Sequence, residues 1–386
     1  MKKLIFIVLL GILLYLASPR SGGIHFIEKK GANMINDYLY EMPNNWETSL
    51  LSLSWFLYSN TDEDFLTWYK ETLSNSYILS IQTYDLSDSD IKNTLRKAAE
   101  KGTNIRILTE ANKENQFKST FKDLQSFFWG TTIQIRNDEH LWTKYLHDNF
   151  VITSSWFRIQ TADLTTNWLT KNREYFLYVE SPELASSLRY IFEKDWIWEE
   201  IVSDRIASNI IICNLNCRAV ITDLITKAKE SLVLQIEDIS DPSIYTLLTQ
   251  KPSQVVYRDN GYGRTVTWAF EFKAIFPNTK ENRLIENEFG SWNVRLLRKP
   301  DLHTKIMVVD HKWLLIGSMN FNHNSLDNNR EVWILINDPL VIERFLSGFN
   351  EDWKSLDRYY CPYWGCYEWA SLDFLKQEKK WKKIKK

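Results

Sequence analysis

The segment from His303 to Glu331 is the most informative part of this sequence. It runs His303-Thr304-Lys305-Ile306-Met307-Val308-Val309-Asp310, then Gly317-Ser318-Met319-Asn320, then Asn329-Arg330-Glu331. The apolar run 306–309 predicts a buried strand, and residues two apart lie on the same side of a strand. A lysine there supplies fixed charge, and a histidine attacks phosphorus or moves protons near neutral pH. The pattern therefore indicates a phosphate-binding site.

These residues resemble the signature of the phospholipase D superfamily, which is His-x-Lys-x4-Asp, then Gly-Ser-x-Asn, then a downstream Glu. The resemblance implies phosphodiesterase chemistry that needs no metal and no other cofactor. One histidine would form a covalent phosphohistidine, and a second would protonate the leaving oxygen. The implied catalytic residues in this stretch are His303, Lys305, Asp310, Asn320 and Glu331, while Lys305, Ser318 and Asn320 would hold the phosphate.

A second copy of the pattern lies earlier in the chain, as members with two motifs require. Leu146-His147 parallels Leu302-His303, Asn172-Arg173-Glu174 parallels Asn329-Arg330-Glu331, and Asp85-Leu86-Ser87-Asp88 parallels Asp238-Ile239-Ser240-Asp241. The repeat spans nearly the whole chain from about residue 60. The resemblance then adds His147 and Glu174 to the catalytic residues and Asn149 to the phosphate-binding ones.

The first copy departs from the signature. Asn149 stands where the family has Lys, Ser154 where it has Asp, and Gln160 and Asp163 where it has Gly and Asn. Asn149 can donate a hydrogen bond but carries no charge, and Asp163 brings a negative charge to the position of a phosphate oxygen. These departures leave open either a slow or specialised enzyme or a catalytically impaired phosphate-binding protein. The usual order in the family makes His147 the nucleophile, whereas the intact surroundings of His303 favour the opposite assignment.

The secondary-structure pattern predicts an α/β fold. Residues 65–73, 90–101 and 219–231 are expected to be helices, the second one closed by Gly102, and residues 77–83, 104–108, 232–236 and 294–297 to be strands. The resemblance implies two phospholipase-D-like lobes, mixed sheets flanked by helices and related by a pseudo-twofold axis, with the active site between them. The expected bounds are 24–203 for the first lobe and 204–360 for the second.

Charge and composition bear on the substrate. The 386 residues include 47 basic and 49 acidic ones, for a net charge of −2, whereas a dedicated nucleic-acid binder usually has a clearly basic face. A phospholipid substrate is therefore favoured, hydrolysed or transferred to an alcohol as cardiolipin synthases do. An exported nuclease stays the alternative, because a local basic groove can exist on a neutral protein.

Both termini suggest contact with a membrane. Met1-Lys2-Lys3 precedes an apolar run to Ala17, which predicts that residues 1–20 are a signal peptide or an anchor, with the body outside the cytoplasm. The tail, residues 361–386, has seven lysines and Trp381 after position 375. It is expected either to lie on an anionic membrane surface or to form a solvated helix.

Four cysteines fall in two close pairs, Cys213 with Cys217 and Cys361 with Cys366. In an exported protein an even number indicates disulfides, and four cysteines allow three pairings. Buried thiols or a zinc site of unusual spacing are the alternatives. Residues 204–217 are expected to connect the lobes, and the glycine-rich segment 259–264 to be either a loop over the cleft or a surface loop.

Overall fold

The computed structural model describes residues 54–122, 133–259 and 264–356. The predictions for segment 1–20, the tail 361–386, Cys361 and Cys366 lie outside the described residues. So does the tip of the segment 259–264. Within the described ranges, no helix combines the length and the apolar character that crossing a bilayer requires.

The first lobe is a sheet with helices on its faces. Strands β2, β3 and β4 are parallel, the remaining strands are antiparallel, and the spatial order is β1-β8-β6-β5-β2-β3-β4. The strands are β1 Ser54–Ser59, β2 Ile78–Thr83, β3 Asn104–Thr109, β4 Ile133–Asn137, β5 Phe150–Ile152, β6 Trp156–Gln160, β7 Asn172–Arg173 and β8 Tyr175–Glu180. The helices are α1 Phe65–Ser74, α2 Ser89–Glu100, α3 Glu114–Thr120, α4 Thr166–Thr170 and α5 Pro182–Trp196.

The second lobe repeats this topology and adds one strand. Its sheet has the order β11-β12-β10-β15-β16-β17-β9, with β13 beside β12. The strands are β9 Ile210–Ile212, β10 Ser231–Ile236, β11 Gln254–Asp259, β12 Arg264–Pro277, β13 Val294–Leu297, β14 Asp301–Leu302, β15 Lys305–Val309, β16 Trp313–Gly317 and β17 Val332–Ile336. The helices are α6 Cys217–Lys227, α7 Pro242–Thr249, α8 Lys280–Phe289 and α9 Pro339–Ser355, with a 3₁₀ turn Ser203–Arg205 and a π-helical turn Asn324–Asn328.

The repeat seen in the sequence is also a repeat of local structure. The carboxylate of Asp88 caps α2 by accepting a hydrogen bond from the Ile91 amide, and Asp241 caps α7 through the Ser243 and Ile244 amides. These aspartates end the two parallel sequence segments. The predicted α/β fold of two mixed sheets flanked by helices is therefore confirmed, with β9 to β17 reproducing the order of the first sheet.

Two predicted elements differ from the structure. The helix expected over 219–231 ends at Lys227, because the amides of residues 229–231 bond to the Asp310 carboxylate and β10 begins at Ser231. His303 was expected on the same strand as Lys305, but it precedes β15. Its segment instead pairs with the other lobe, where β14 runs parallel to β7.

The lobes share one hydrophobic core. A single cluster contains buried residues of both sheets together with residues of α5 and α9, such as Phe157, Phe192, Ile316 and Phe345. A bridge between Leu146 and Arg330 matches the β7–β14 pairing on the opposite side of the interface. The two lobes are therefore fixed against each other at the level of the backbone, where the predicted site residues lie.

Cys213 and Cys217 form a disulfide at the start of α6. The sequence left three pairings open, and the structure forms the one that joins these two neighbouring cysteines. Because both sulfurs are in the disulfide, neither is a zinc ligand here. The segment predicted as a connection contributes β9, which pairs with β17 at the edge of the second sheet.

Candidate active site

Each predicted histidine lies on a loop that is hydrogen-bonded to the opposite lobe. The amide of His147 donates to the carbonyl of Arg330 over 3.0 Å, and the amide of His303 faces the carbonyl of Arg173 at 3.4 Å. Thr304 adds a hydroxyl bond of 2.8 Å to the same carbonyl of Arg173. Backbone pairing across the interface therefore holds both imidazoles against the same cleft.

The glutamates of the two motifs are exchanged between the lobes. Glu331 of the second lobe contacts Nδ1 of His147 in the first at 3.1 Å, and Glu174 of the first lobe contacts Nδ1 of His303 in the second at 2.7 Å. Both carboxylates are fully buried. The Glu331 contact has hydrogen-bond geometry, which fixes the His147 ring and leaves Nε2 for the substrate, whereas Glu174 and His303 are in close contact without that geometry. Each histidine is thus oriented by the other half of the molecule.

The arginine before each glutamate crosses the interface as well. Arg330 pairs with Asp195 of α5 at 3.2 Å, and Arg173 pairs with Asp352 of α9. Gln82 and Gln235 donate to the remaining oxygens of the same aspartates at 2.9 and 2.8 Å. Because a buried ion pair depends on fixed geometry, these two reciprocal pairs fix the position of the adjacent glutamates.

The two carboxylates near His147 change its proton affinity. Burial lowers the pKa of His147, but the negative charges of Glu331 and Asp163 outweigh that effect and raise the pKa to about 9. His147 therefore carries a proton at neutral pH in the empty cleft. A charged imidazole with a free Nε2 is suited to donate a proton to a leaving oxygen.

In the second half of the site, three donors converge on one oxygen. Lys305 Nζ, Asn320 Nδ2 and His303 Nε2 lie 3.1, 2.9 and 3.4 Å from Oε2 of Glu237. Burial raises the pKa of the Glu237 carboxyl, but the charges of Lys305 and His303 outweigh it and bring the pKa to about 2. An ionised carboxylate oxygen thus occupies the position that the donors around His303 would give to a phosphate oxygen.

In the first half, Asn149 and Asp163 bind each other. Asn149 Nδ2 donates to Oδ1 of Asp163 over 2.8 Å, and its carbonyl accepts a hydrogen bond from the Thr83 hydroxyl over 2.7 Å. Asp163 lines the cleft, whereas Asn149 lies behind it. The side-chain amide of Asn149, which replaces the family's lysine, is therefore hydrogen-bonded to protein groups and does not line the cleft.

The cleft between the lobes has a volume of about 420 Å³. It is lined by Tyr84, Tyr145, His147, Asp163, Trp168, Glu237, His303, Asn320, Asn322, Asn324, Ser325 and Asn329. Lys305 is fully buried below this lining, and its ammonium also donates to the His303 carbonyl at 2.7 Å. The structure thus brings together both histidines, both glutamates, Lys305 and Asn320.

Two predicted site residues lie elsewhere. Asp310 is at the far end of β15, where its carboxylate accepts the amides of Lys229, Glu230 and Ser231 at 2.7 to 3.0 Å. It caps the chain turn before β10, so the structure does not bring this predicted catalytic residue to the cleft with the others. Ser318 is fully buried and does not line the cleft, and its hydroxyl has no hydrogen-bond partner among the described residues.

Two cleft residues were missed by the sequence reasoning. Trp168 packs against His303 with ring centroids 3.7 Å apart and ring planes inclined by 31°, and Glu237 contacts the donors around His303. The internal repeat could have pointed to Glu237. It directly precedes the repeated segment 238–241, just as Tyr84 directly precedes the matching segment 85–88. Tyr84 lies beside His147, with ring centroids 5.4 Å apart. The repeat therefore places a carboxylate at one histidine where it places a phenol at the other.

The model of the family described as "Cardiolipin synthase, PLD-like domain" matches residues 69–196 and 221–353. The chain belongs to the phospholipase D superfamily. The two matched segments carry the two motifs, one in each lobe. The predicted family membership is therefore confirmed.

Curated relatives of the superfamily are similar over parts of the chain. Phospholipase D of Rickettsia prowazekii (strain Madrid E) is 27% identical over 181 residues, which are 45% of this chain and 83% of that protein. Mitochondrial cardiolipin hydrolase of Mus musculus is 34% identical over 56 residues, 14% of this chain and a quarter (25%) of that protein. Each of these matches spans less than half of this chain.

Solved structures support the same fold. Phosphatidylserine synthase of Haemophilus influenzae Rd KW20 is 13% identical, with a TM-score of 0.57 over 87% of this chain and 94% of that one. Polyphosphate kinase of Porphyromonas gingivalis is also 13% identical, with a TM-score of 0.53 over 76% of this chain and 46% of that one. At such identities the likeness concerns the fold alone.

Proposed function

We propose that this member of the phospholipase D superfamily is a phosphodiesterase that acts on phospholipids, by hydrolysis or by transfer of the phosphatidyl group to an alcohol. The observation that carries the proposal is the pair of histidines facing one cleft, each bound at Nδ1 by a buried glutamate of the opposite lobe. The apolar N-terminal run and the lysine-rich tail support action at a membrane surface, with the body outside the cytoplasm.

The arrangement supports His303 as the nucleophile. A substrate phosphate would replace the Glu237 carboxylate at Lys305 and Asn320, which places phosphorus next to His303 Nε2. The Nε2 proton of His303 passes to the displaced Glu237 carboxylate, Nε2 then attacks phosphorus, and the bond from phosphorus to the alcohol oxygen breaks. His147, protonated at neutral pH, gives its Nε2 proton to that oxygen.

The second step returns the enzyme to its starting state. Neutral His147 takes a proton from water or from an acceptor alcohol, and the resulting oxygen attacks phosphorus. The bond from phosphorus to His303 breaks, and the electron pair returns to Nε2. Lys305 and Asn320 neutralise charge on the phosphoryl oxygens in both steps.

Headgroup release from phospholipid vesicles tests the activity. The wild type is expected to release headgroup in the presence of a chelator, and His303→Ala is expected to abolish release. His311→Ala is the matched control, since His311 is exposed, pairs with Glu271 and lies outside the cleft. Equal release by wild type and His303→Ala would contradict the proposal.

A p-nitrophenyl phosphodiester tests the assignment of the two histidines. Its phenolate leaves without a proton, so His147→Ala should still form a covalent adduct, whereas His303→Ala should form none. A phosphohistidine is acid-labile and base-stable, which distinguishes it from a serine adduct. Trapping on the His303→Ala variant would reverse the assignment.

A non-catalytic phosphate-binding protein is the second candidate, and the Asn149–Asp163 pair favours it, because Asn149 brings no charge to the position where the family has lysine. This candidate predicts ligand binding without any covalent adduct. A nuclease is tested with the same trapping experiment on a labelled single strand in chelator.

A further inference from the structure

Glu331 and Glu174 hold the two histidines of the cleft in different ways. The contact between Glu331 and Nδ1 of His147 has hydrogen-bond geometry, with 3.1 Å between the atoms. Nδ1 of His303 lies 2.7 Å from Oε1 of Glu174, yet neither atom has a hydrogen-bond partner among the described residues. A hydrogen bond restrains a ring because its strength depends on direction, whereas a charge contact depends mainly on distance. Glu174 therefore supplies charge to His303 without fixing the plane of its ring.

The indole of Trp168 covers one face of the His303 ring. The ring centroids are 3.7 Å apart, and the ring planes are inclined by 31°. Rotation of the imidazole about its Cβ–Cγ bond would drive it into the indole, because rings in contact leave no free space between them. The ring edge stays directed into the cleft, where Nε2 lies 3.4 Å from the Glu237 oxygen that occupies the proposed phosphate position. Trp168 thus provides the directional restraint that the contact with Glu174 lacks.

One side chain of the first lobe joins both groups that contact His303. The side-chain carbonyl of Asn60 accepts a hydrogen bond from the Glu174 amide over 3.1 Å, and its Nδ2 donates to the Trp168 carbonyl over 3.3 Å. The Thr165 hydroxyl accepts the Trp168 amide at the start of α4. The backbone that carries the indole is therefore fixed to the same segment as the glutamate, and both belong to the lobe opposite His303.

The second half of the repeat has a serine at the position of this tryptophan. Trp168 precedes Asn172 by four residues, and Ser325 precedes Asn329 by four residues. Both Trp168 and Ser325 line the cleft. The repeat therefore places an indole at the proposed nucleophile and a hydroxyl in the other half of the site.

An indole face also suits the charge that develops on the nucleophile. When Nε2 of His303 bonds to phosphorus while Nδ1 keeps its proton, the imidazole ring becomes a cation. An aromatic face attracts a cation close to it, most strongly when the ring is that of tryptophan and water is excluded. The His303 side chain is 6% exposed, so water screens this attraction little. The contact with Trp168 is therefore stronger in the phosphorylated ring than in the neutral ring that attacks, which is the condition for accelerating the step.

We propose that Trp168 is a positioning residue that fixes the plane of the His303 ring and stabilises its phosphorylated, cationic form. This inference rests on the proposed function and deepens it, because it makes the attack by His303 depend on a side chain of the opposite lobe. Loss of the indole should slow formation of the phosphohistidine and leave the affinity for the diester unchanged.

Rapid mixing of the full chain with a p-nitrophenyl phosphodiester separates these two effects, since phenolate release in the first turnover reports adduct formation. Trp168→Leu should slow that step by about tenfold, as expected for the loss of a desolvated cation–indole contact. Trp168→Phe keeps an aromatic face and should recover most of the rate, and Trp168→Ser, which copies the other half, should behave like Trp168→Leu. Trp292→Leu is the matched control, since Trp292 is 51% exposed and lies outside the cleft. Equal rates in wild type and Trp168→Leu, a loss that Trp168→Phe does not reduce, or a loss confined to diester affinity would overturn the inference.

Nuclear magnetic resonance of the histidine rings gives a readout that needs no turnover. Protons above an indole face are shielded, so the His303 ring signals, identified by their absence in His303→Ala, should move downfield in Trp168→Leu. Unchanged His147 signals show that the variant folds. If this shift is found but wild type forms no adduct, the proposed enzymatic function fails and the restraint of the ring by Trp168 stands. If wild type forms the adduct and the His303 signals are the same in both proteins, the enzyme stands and positioning by Trp168 fails.

Discussion

Replacing Glu331 by glutamine should move the pH range in which His147 can act as an acid. Glu331 is the largest of the charges that raise the pKa of His147 from 6.5 to about 9. That difference corresponds to about 3 kcal/mol of stabilisation of the imidazolium. Without Glu331, the lowering effect of burial, which is the largest influence on this group, exceeds the raising effect of Asp163, so the pKa should fall below 6.5.

The expected consequence is a shift of the alkaline limb of the pH–rate profile. At pH 8 a group with a pKa of 9 is about 90% protonated, whereas one with a pKa below 6.5 is less than about 3% protonated. Glu331→Gln should therefore lose at least about thirtyfold in kcat at pH 8 and regain activity as the pH falls. The assay is headgroup release over pH 5 to 10, with His147 titrated in parallel by nuclear magnetic resonance of its ring.

The twofold arrangement provides the control. Glu174→Gln changes the same kind of contact, but on His303, so the pKa of His147 should stay near 9. The reasoning would be refuted if His147 titrated at the same pH in Glu331→Gln as in the wild type, or if Glu174→Gln shifted it as strongly.

Three further changes test other parts of the structure. Asp310→Ala removes the acceptor for three backbone amides and should lower the free energy of unfolding by about 1–3 kcal/mol in urea titrations, without changing diester binding. Gly317→Ala would place a Cβ 2.2 Å from Trp333, so the free energy of unfolding should fall by about 1–3 kcal/mol or more, measured in the same titrations. Asn149→Lys combined with Asp163→Asn restores the family residues and should raise kcat on an anionic diester by about 10²-fold, the usual effect of one donor to developing charge.

Each of these predictions has an outcome that contradicts it. Asp310→Ala with unchanged stability, or with lost diester binding, would contradict its structural role. Wild-type stability in the glycine variant would mean that Trp333 relaxes freely. If the doubly restored variant gained no activity, the weakness of the first motif would lie outside residues 149 and 163.

The sequence predicted the fold and most of the cleft because the repeat carries its own alignment. Two copies of one pattern required two similar lobes, and the shared signature required their histidines to meet. The sequence could not show that Glu331 serves His147 and Glu174 serves His303. That exchange depends on how the lobes dock, which spacing within one lobe does not encode.

Glu237 illustrates the other limit of sequence reasoning. A carboxylate directly before a repeated loop segment is ordinary in sequence, and only the fold shows that it meets Lys305 and Asn320. Asp310 illustrates the converse limit. It belongs to the signature, yet its spacing from His303 along an extended strand takes it to the opposite end of β15.

The exchange of glutamates also means that neither half of the chain carries a complete site. A half made first by the ribosome, or cut free by a protease, holds a histidine without the carboxylate that orients it. The site is complete only when the second half has folded and docked, so its formation reports the completion of the whole fold.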